Sequence, residues 1–131
     1  MPSRLRVLVI EDDPALRKVL EIRLELDGFD VTVAPDGEAA LEVLLDFHPD
    51  VVISDLMMPR LDGIGFCREA RTRPGMEHLP IVLLTAHQRD CDVEDILRQL
   101  GGIVYMGKPF DAGTLSRTLR GLVDGASAAR A

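Results

Sequence analysis

The chain has little cysteine, little positive charge and no long apolar run, and each shortage closes off a class of function. Two thiols, Cys67 and Cys91, stand in 131 residues. They form no C-x-x-C pair and have no histidine cluster beside them, so they read as free cysteines in a reducing compartment. Fifteen basic residues face 22 acidic ones, a net charge of −7, which argues against wholesale nucleic-acid binding. No stretch approaches the roughly 20 apolar residues of a membrane-spanning helix, and Met1–Arg6 does not lead into a signal peptide's apolar core. A cytoplasmic protein without membrane contact is therefore expected. There is no G-x-x-x-x-G-K-[ST], which removes the P-loop nucleotide enzymes. Internal repeats and low-complexity segments are also missing.

What is present is a hydrophobic fraction of 47%, enough for a core and too much for general disorder. Five apolar runs alternate with five helical patterns, the signature of βαβ units on a parallel sheet. The first strand is Val7 to Ile10, followed by Glu11-Asp12-Asp13. Pro14 suits the first helical position, so Asp13 is the expected N-cap, leaving Glu11 and Asp12 at the strand tip. The first helix carries a broad stripe of Ala15, Leu16, Val19, Leu20, Ile22 and Leu26, all expected inward, and stops at Gly28.

A second strand, Asp30 to Ala34, turns through Pro35-Asp36-Gly37 into a helix with Ala40, Leu41, Leu44 and Leu45 inward, ended by His48-Pro49. The third strand, Val51-Val52-Ile53-Ser54-Asp55, is a β-branched run, as at the centre of a parallel sheet. Asp62 is expected to cap a third helix burying Ile64, Cys67 and Ala70, broken at Arg73-Pro74-Gly75. The fourth strand, Ile81 to Leu84, delivers Thr85. A fourth helix is expected with Val93, Ile96, Leu97 and Leu100 on one face, closed by Gly101-Gly102. The fifth strand, Ile103 to Met106, reaches Gly107-Lys108-Pro109-Phe110. Asp111 then caps a last helix with Leu115, Leu119 and Leu122 inward. One domain over 1–123 is expected, with 124–131 a flexible tail or the start of a linker.

In a parallel sheet the strand ends share one edge, where open α/β sheets put their ligand crevices. Glu11 and Asp12, Asp55, Thr85 and Lys108 therefore converge. Three carboxylates held together repel, and a hard divalent cation such as Mg²⁺ relieves the repulsion while keeping several waters. A carboxylate can attack phosphorus, and phosphoryl transfer needs mostly positioning and charge neutralisation, which a metal and Lys108 would supply. Each residue also has a plain alternative: a turn-starting Asp55, a strand-forming Thr85, a solvated Lys108. His48 and His87 suit solvent better than Mg²⁺, which prefers oxygen.

Taken together, Val7 to Asp13, Asp55 with Met58-Pro59 and Asp62-Gly63, Leu84-Thr85-Ala86, and Lys108-Pro109-Phe110 resemble the CheY-like receiver domain of two-component response regulators. The resemblance covers residues 5 to about 123 and implies a flavodoxin-like, doubly wound (βα)5 sandwich with a parallel sheet of order 2-1-3-4-5. It implies that Asp55 accepts a phosphoryl group from the phosphohistidine of a histidine kinase or phosphotransfer protein. Asp12, Asp55, the backbone carbonyl of Met57 and Glu11, directly or through a water, would hold Mg²⁺. Thr85 and Lys108 would bind the phosphoryl oxygens, Lys108-Pro109 would be a cis peptide, and Tyr105 would follow Thr85 as the switch. The phosphorylated face made by the fourth helix, fifth strand and fifth helix would control an output protein or an attached effector domain. Such a protein is not an enzyme on outside substrates, since it catalyses only its own phosphorylation and slow dephosphorylation.

Receivers often carry two acidic residues before the strand-five aromatic, where this chain has Ile103 and Val104. That weakens, without removing, the expectation of a phosphorylation-dependent homodimer. Met57 and His87 stand two places after Asp55 and Thr85, and their bulk is expected to hinder the hydrolytic water. Two rival readings fit the residues less well. A degenerate receiver working without phosphate usually lacks a carboxylate or the lysine, and this chain has them all. An aspartyl-nucleophile phosphatase needs a second carboxylate two residues after the first, where this chain has Met57.

Overall fold

A computed structural model describes residues 4–55, 63–85, 98–99, 101–107 and 112–130. Among the described residues nine elements follow in order: β1 (Arg6–Ile10), α1 (Pro14–Leu26), β2 (Asp30–Ala34), α2 (Gly37–Phe47), β3 (Val51–Asp55), α3 (Gly63–Arg71), β4 (Ile81–Thr85), β5 (Ile103–Gly107) and α4 (Ala112–Arg130). The five strands are all parallel in the order β2-β1-β3-β4-β5, the flavodoxin-like doubly wound sheet expected. Val93, Ile96, Leu97 and Leu100 of the expected fourth helix, the caps Asp62 and Asp111, and Cys91 lie outside the described residues. Cys67 is buried and is not part of a disulfide.

Strand residues alternate between two cores because successive side chains point to opposite faces. Leu8, Ile10, Val52, Ile81 and Leu83 pack with Ala40, Leu44, Phe66, Cys67 and Ala70 on the α2–α3 side. Val7, Val9, Val51, Ile53, Val82 and Leu84 pack with Leu20, Leu24, Phe29, Leu115 and Leu119 on the α1–α4 side. With both faces covered, the sheet needs no polar face, which is why its strands read as unbroken apolar runs. Each Val, Leu, Ile or Phe among them contributes roughly 1.5–3 kcal/mol on full burial.

The helix boundaries follow local chemistry. Asp13 caps α1 by accepting from the Ala15 amide at 2.9 Å, with Pro14 in the first turn. Asp36 caps α2 by accepting from the Ala39 amide at 2.8 Å. Gly28 ends the α1 region at φ +97°, a left-handed conformation that glycine reaches without penalty. His48 closes α2 at φ 53°, an uncommon duty for a side chain with a Cβ.

The inward arc of α1 is narrower than its stripe suggests. Leu20 and Leu24 are buried, whereas Val19 is 61% exposed, Ile22 49% and Leu26 79%. A helix touching one sheet face buries one line of i, i+4 positions, here 16, 20 and 24, and the flanking apolar residues are left in water. Leu45 on α2 is likewise exposed, while Phe66 on α3, absent from the expected set, is fully buried. Ile103 and Val104 are half-buried and pack on opposite cores. Helix α4 runs to Arg130, through the residues expected as a tail. Among the described residues, no helix is long and apolar enough to cross a membrane.

Candidate functional site: an acidic cluster at the strand tips

Two strands, β1 and β3, bring carboxylates to the same edge of the sheet, and the backbones of β4 and β5 end beside them. The β1–β3 register pairs Ile10 with Ser54, so the next residue along each chain, Glu11 and Asp55, reaches the same level. β3 pairs Asp55 with Leu84, and β4 pairs Thr85 with Gly107, so the backbones of Thr85 and Gly107 end one rung beyond Asp55. The side chains of Thr85 and Tyr105 lie outside the described part of the structure, as do Met57, His87 and the whole Lys108-Pro109 pair. Tyr105 is placed only by its backbone, opposite Leu83.

Glu11, Asp12 and Asp55 come together, each offering a carboxylate oxygen within 4.8 Å of the others. Glu11 is 3% exposed, Asp12 lies open to solvent and Asp55 is intermediate. The Glu11 amide donates to the Ala34 carbonyl at 3.1 Å, extending the β1–β2 ladder by one rung. Its carboxylate accepts from the Asp13 amide at 3.4 Å. Asp13 is committed to the helix cap, as expected, which leaves Asp12 to the cluster.

Three carboxylates at this spacing repel one another, and burying one raises the cost of its charge. Oxygen-only donors at such separations fit a hard divalent cation and suit soft metals poorly. Among the described residues this is the one group of three or more acidic, His or Cys side chains so arranged.

Two contacts at this edge had no sequence signal. The fully buried Ser54 hydroxyl donates to the Asp55 carbonyl at 3.0 Å, and Arg17 Nη1 donates to the Glu11 carbonyl at 2.9 Å. Ser54 reads as a small strand residue and Arg17 as a surface cation, because the backbone groups they reach are identifiable only once the fold is formed.

The family model of the response regulator receiver domain matches residues 7–120. The probable transcriptional regulator ycf27 of Porphyridium aerugineum is 41% identical over 120 residues, covering 90% of this chain and 48% of that protein. The transcriptional regulatory protein CseB of Streptomyces avermitilis is 36% identical, covering 94% of this chain and 51% of that protein. The chain thus spans about half the length of these curated relatives. Among solved structures, the receiver domain of sensor histidine kinase PA1611 from Pseudomonas aeruginosa PAO1 superposes with a TM-score of 0.82 at 31% identity. It covers 93% of this chain and 99% of that one, and it has a magnesium ion coordinated in its active-site cleft. Vibrio cholerae chemotaxis protein CheY4 gives a TM-score of 0.85 at 28% identity, covering 92% of this chain and 99% of that one.

Proposed function

The chain belongs to the response regulator receiver domain family, and from that premise we propose that it is a phosphorylation-driven switch whose phosphoacceptor is Asp55. The observation that carries this reading is the meeting of Glu11, Asp12 and Asp55 within 4.8 Å at the sheet edge.

In the transfer step an Asp55 carboxylate oxygen attacks the phosphorus of a phosphohistidine. The new O–P bond forms as the P–N bond breaks, and the imidazole departs with the bonding pair. Glu11, Asp12, Asp55 and the Met57 carbonyl would hold Mg²⁺, which when bound supplies positive charge against the phosphoryl oxygens. The Lys108 ammonium and the Thr85 hydroxyl would bind the remaining oxygens. Glu11, buried beside Asp55, adds negative charge that the phosphoryl group feels as repulsion, so the cationic partners are indispensable. Hydrolysis reverses the gain, with water attacking phosphorus and the Asp55 carboxylate leaving.

The output follows from a bias between two conformations. Phosphate stabilises the one in which Thr85 is drawn toward Asp55 and Tyr105 turns with it, a coupling of about 1–3 kcal/mol in typical cases. The surface carrying residues 93–100, β5 and α4 then meets an output protein or an attached effector domain. The curated relatives are named as transcriptional regulators and are about twice as long, which supports an effector domain as the output. Direct nucleic-acid contact by this acidic domain is not part of the proposal, and neither is turnover of outside substrates.

Incubation with acetyl phosphate and Mg²⁺ should add one phosphoryl group to the intact mass. The Asp55→Asn variant should add none. An unchanged mass in the parent chain, with the fold intact by circular dichroism, would replace this reading with a phosphate-independent interaction module.

A further inference from the structure

We propose that Arg17 is a positioning residue for the divalent-cation site, acting through the backbone of Glu11; the inference rests on the magnesium-assisted reading above. The Glu11 amide makes the last β1–β2 bond, to Ala34, and its carbonyl opens the turn that follows. Arg17, half-buried on the first turns of α1, reaches that carbonyl: its Nη1 donates to it at 2.9 Å. This carbonyl belongs to the peptide group joining Glu11 to Asp12. Its orientation therefore sets the direction in which the Asp12 Cα, and with it the carboxylate, is presented to Asp55.

The turn is closed from several sides. The Glu11 amide is held by Ala34 at 3.1 Å, the Glu11 carbonyl by Arg17, and the start of α1 by Asp13, whose carbonyl accepts from the Arg17 amide at 2.9 Å. Arg17 is thus bonded to both ends of the acidic turn, through its side chain to Glu11 and through its backbone to Asp13. Two adjacent carboxylates that repel each other and Asp55 would otherwise relax by rotating this peptide and separating. The Arg17 bond opposes that rotation before any cation arrives.

Arg17 also brings a positive charge close to a site that would bind a cation, and the two effects have opposite signs. Solvent and salt screen a partly exposed charge, whereas outer-shell partners that orient ligands commonly matter tenfold or more to metal affinity. The positioning effect therefore outweighs the repulsion. Removing Arg17 should weaken cation binding, although a mere bystander charge would tighten it on removal.

Thermal unfolding against MgCl2 concentration, at constant ionic strength, gives an apparent Kd through the stabilisation that binding confers. Arg17→Met keeps most of the apolar stem and removes every donor. It should raise the apparent Kd roughly tenfold, with a melting temperature in EDTA close to that of the parent. Arg17→Lys, which retains a cationic donor group, should restore most of the affinity. Unchanged or tighter binding in Arg17→Met, with the parent responding normally, overturns the positioning role and leaves the cation site standing. A parent chain with no saturable response to MgCl2 overturns both.

Discussion

At the scale of single residues, a group of polar contacts away from the acidic cluster joins the end of α1 to α4. The Ser116 hydroxyl donates to the Asp27 carboxylate at 2.5 Å, Arg23 Nε donates to it at 3.2 Å, and Arg120 donates to the Asp27 carbonyl at 2.7 Å. The Ser116 hydrogen bond, followed by that from Arg23, holds the Asp27 carboxyl below its ordinary 3.8. A carboxyl whose folded value is depressed adds stability above its unfolded value, and this is lost as pH falls through the folded one. Asp27→Asn should therefore melt below the parent at neutral pH. The gap should hold down to about 3.8 and shrink below it, as thermal unfolding across that range would show. A second prediction concerns Met57 and His87. If their bulk obstructs the hydrolytic water, the phosphorylated protein should persist for minutes or longer in a decay assay, and a lifetime of seconds would remove that role. Neither Ser116 nor Arg120 is legible as a partner of Asp27, because 89 and 93 positions separate them along the chain. The Asp13 cap was legible because its bond reaches only two residues ahead.

At the scale of elements, α1 separates what periodicity can say from what it cannot. Its apolar stripe announces an amphipathic helix, and the helix forms from Pro14 to Leu26 with the expected cap. The stripe is too wide to tell which arc touches the sheet. Leu24→Ala should cost about 2–5 kcal/mol in denaturant unfolding, as buried leucines do, because Leu24 is 1% exposed. Ile22→Ala should stay within about 0.5 kcal/mol of the parent, as exposed positions do. Comparable losses at both would mean that α1 is rotated from the orientation described. The junction before β5 has similar logic. Arg71 at the end of α3 donates to the Gly101 carbonyl at 2.8 Å and to the Met76 carbonyl at 3.0 Å. Gly102 sits at φ +68°, and a Cβ there would lie 2.9 Å from an Arg71 nitrogen. Gly102, the second of the two glycines that read as a helix stop, therefore also makes room for the Arg71 guanidinium.

At the scale of the whole molecule, an acidic chain gathers three of its carboxylates at one sheet edge, and a bound cation would relieve their repulsion. Linkage converts that relief into global stability: a ligand at ten times its Kd adds about 1.4 kcal/mol. MgCl2 should raise the melting temperature more than NaCl at equal ionic strength, EDTA should reverse the gain, and Asp12→Asn should abolish most of it. A gain matched by NaCl would reduce the effect to general screening of the net charge.

The sequence by itself determined the fold class, the order of the strands' site residues and most helix boundaries. These are written in local patterns: β-branched runs, an aspartate before a proline, a glycine after a helix. Tertiary structure alone decided that Leu24 faces inward while Val19, Ile22 and Leu26 face water. It alone brought oxygens of Glu11, Asp12 and Asp55 within 4.8 Å and carried Arg17 back to the Glu11 carbonyl. The physical reason is reach. A cap or a strand pattern is settled among near neighbours, whereas the direction of a helix face and the meeting of strand tips are set by elements that become neighbours only on folding.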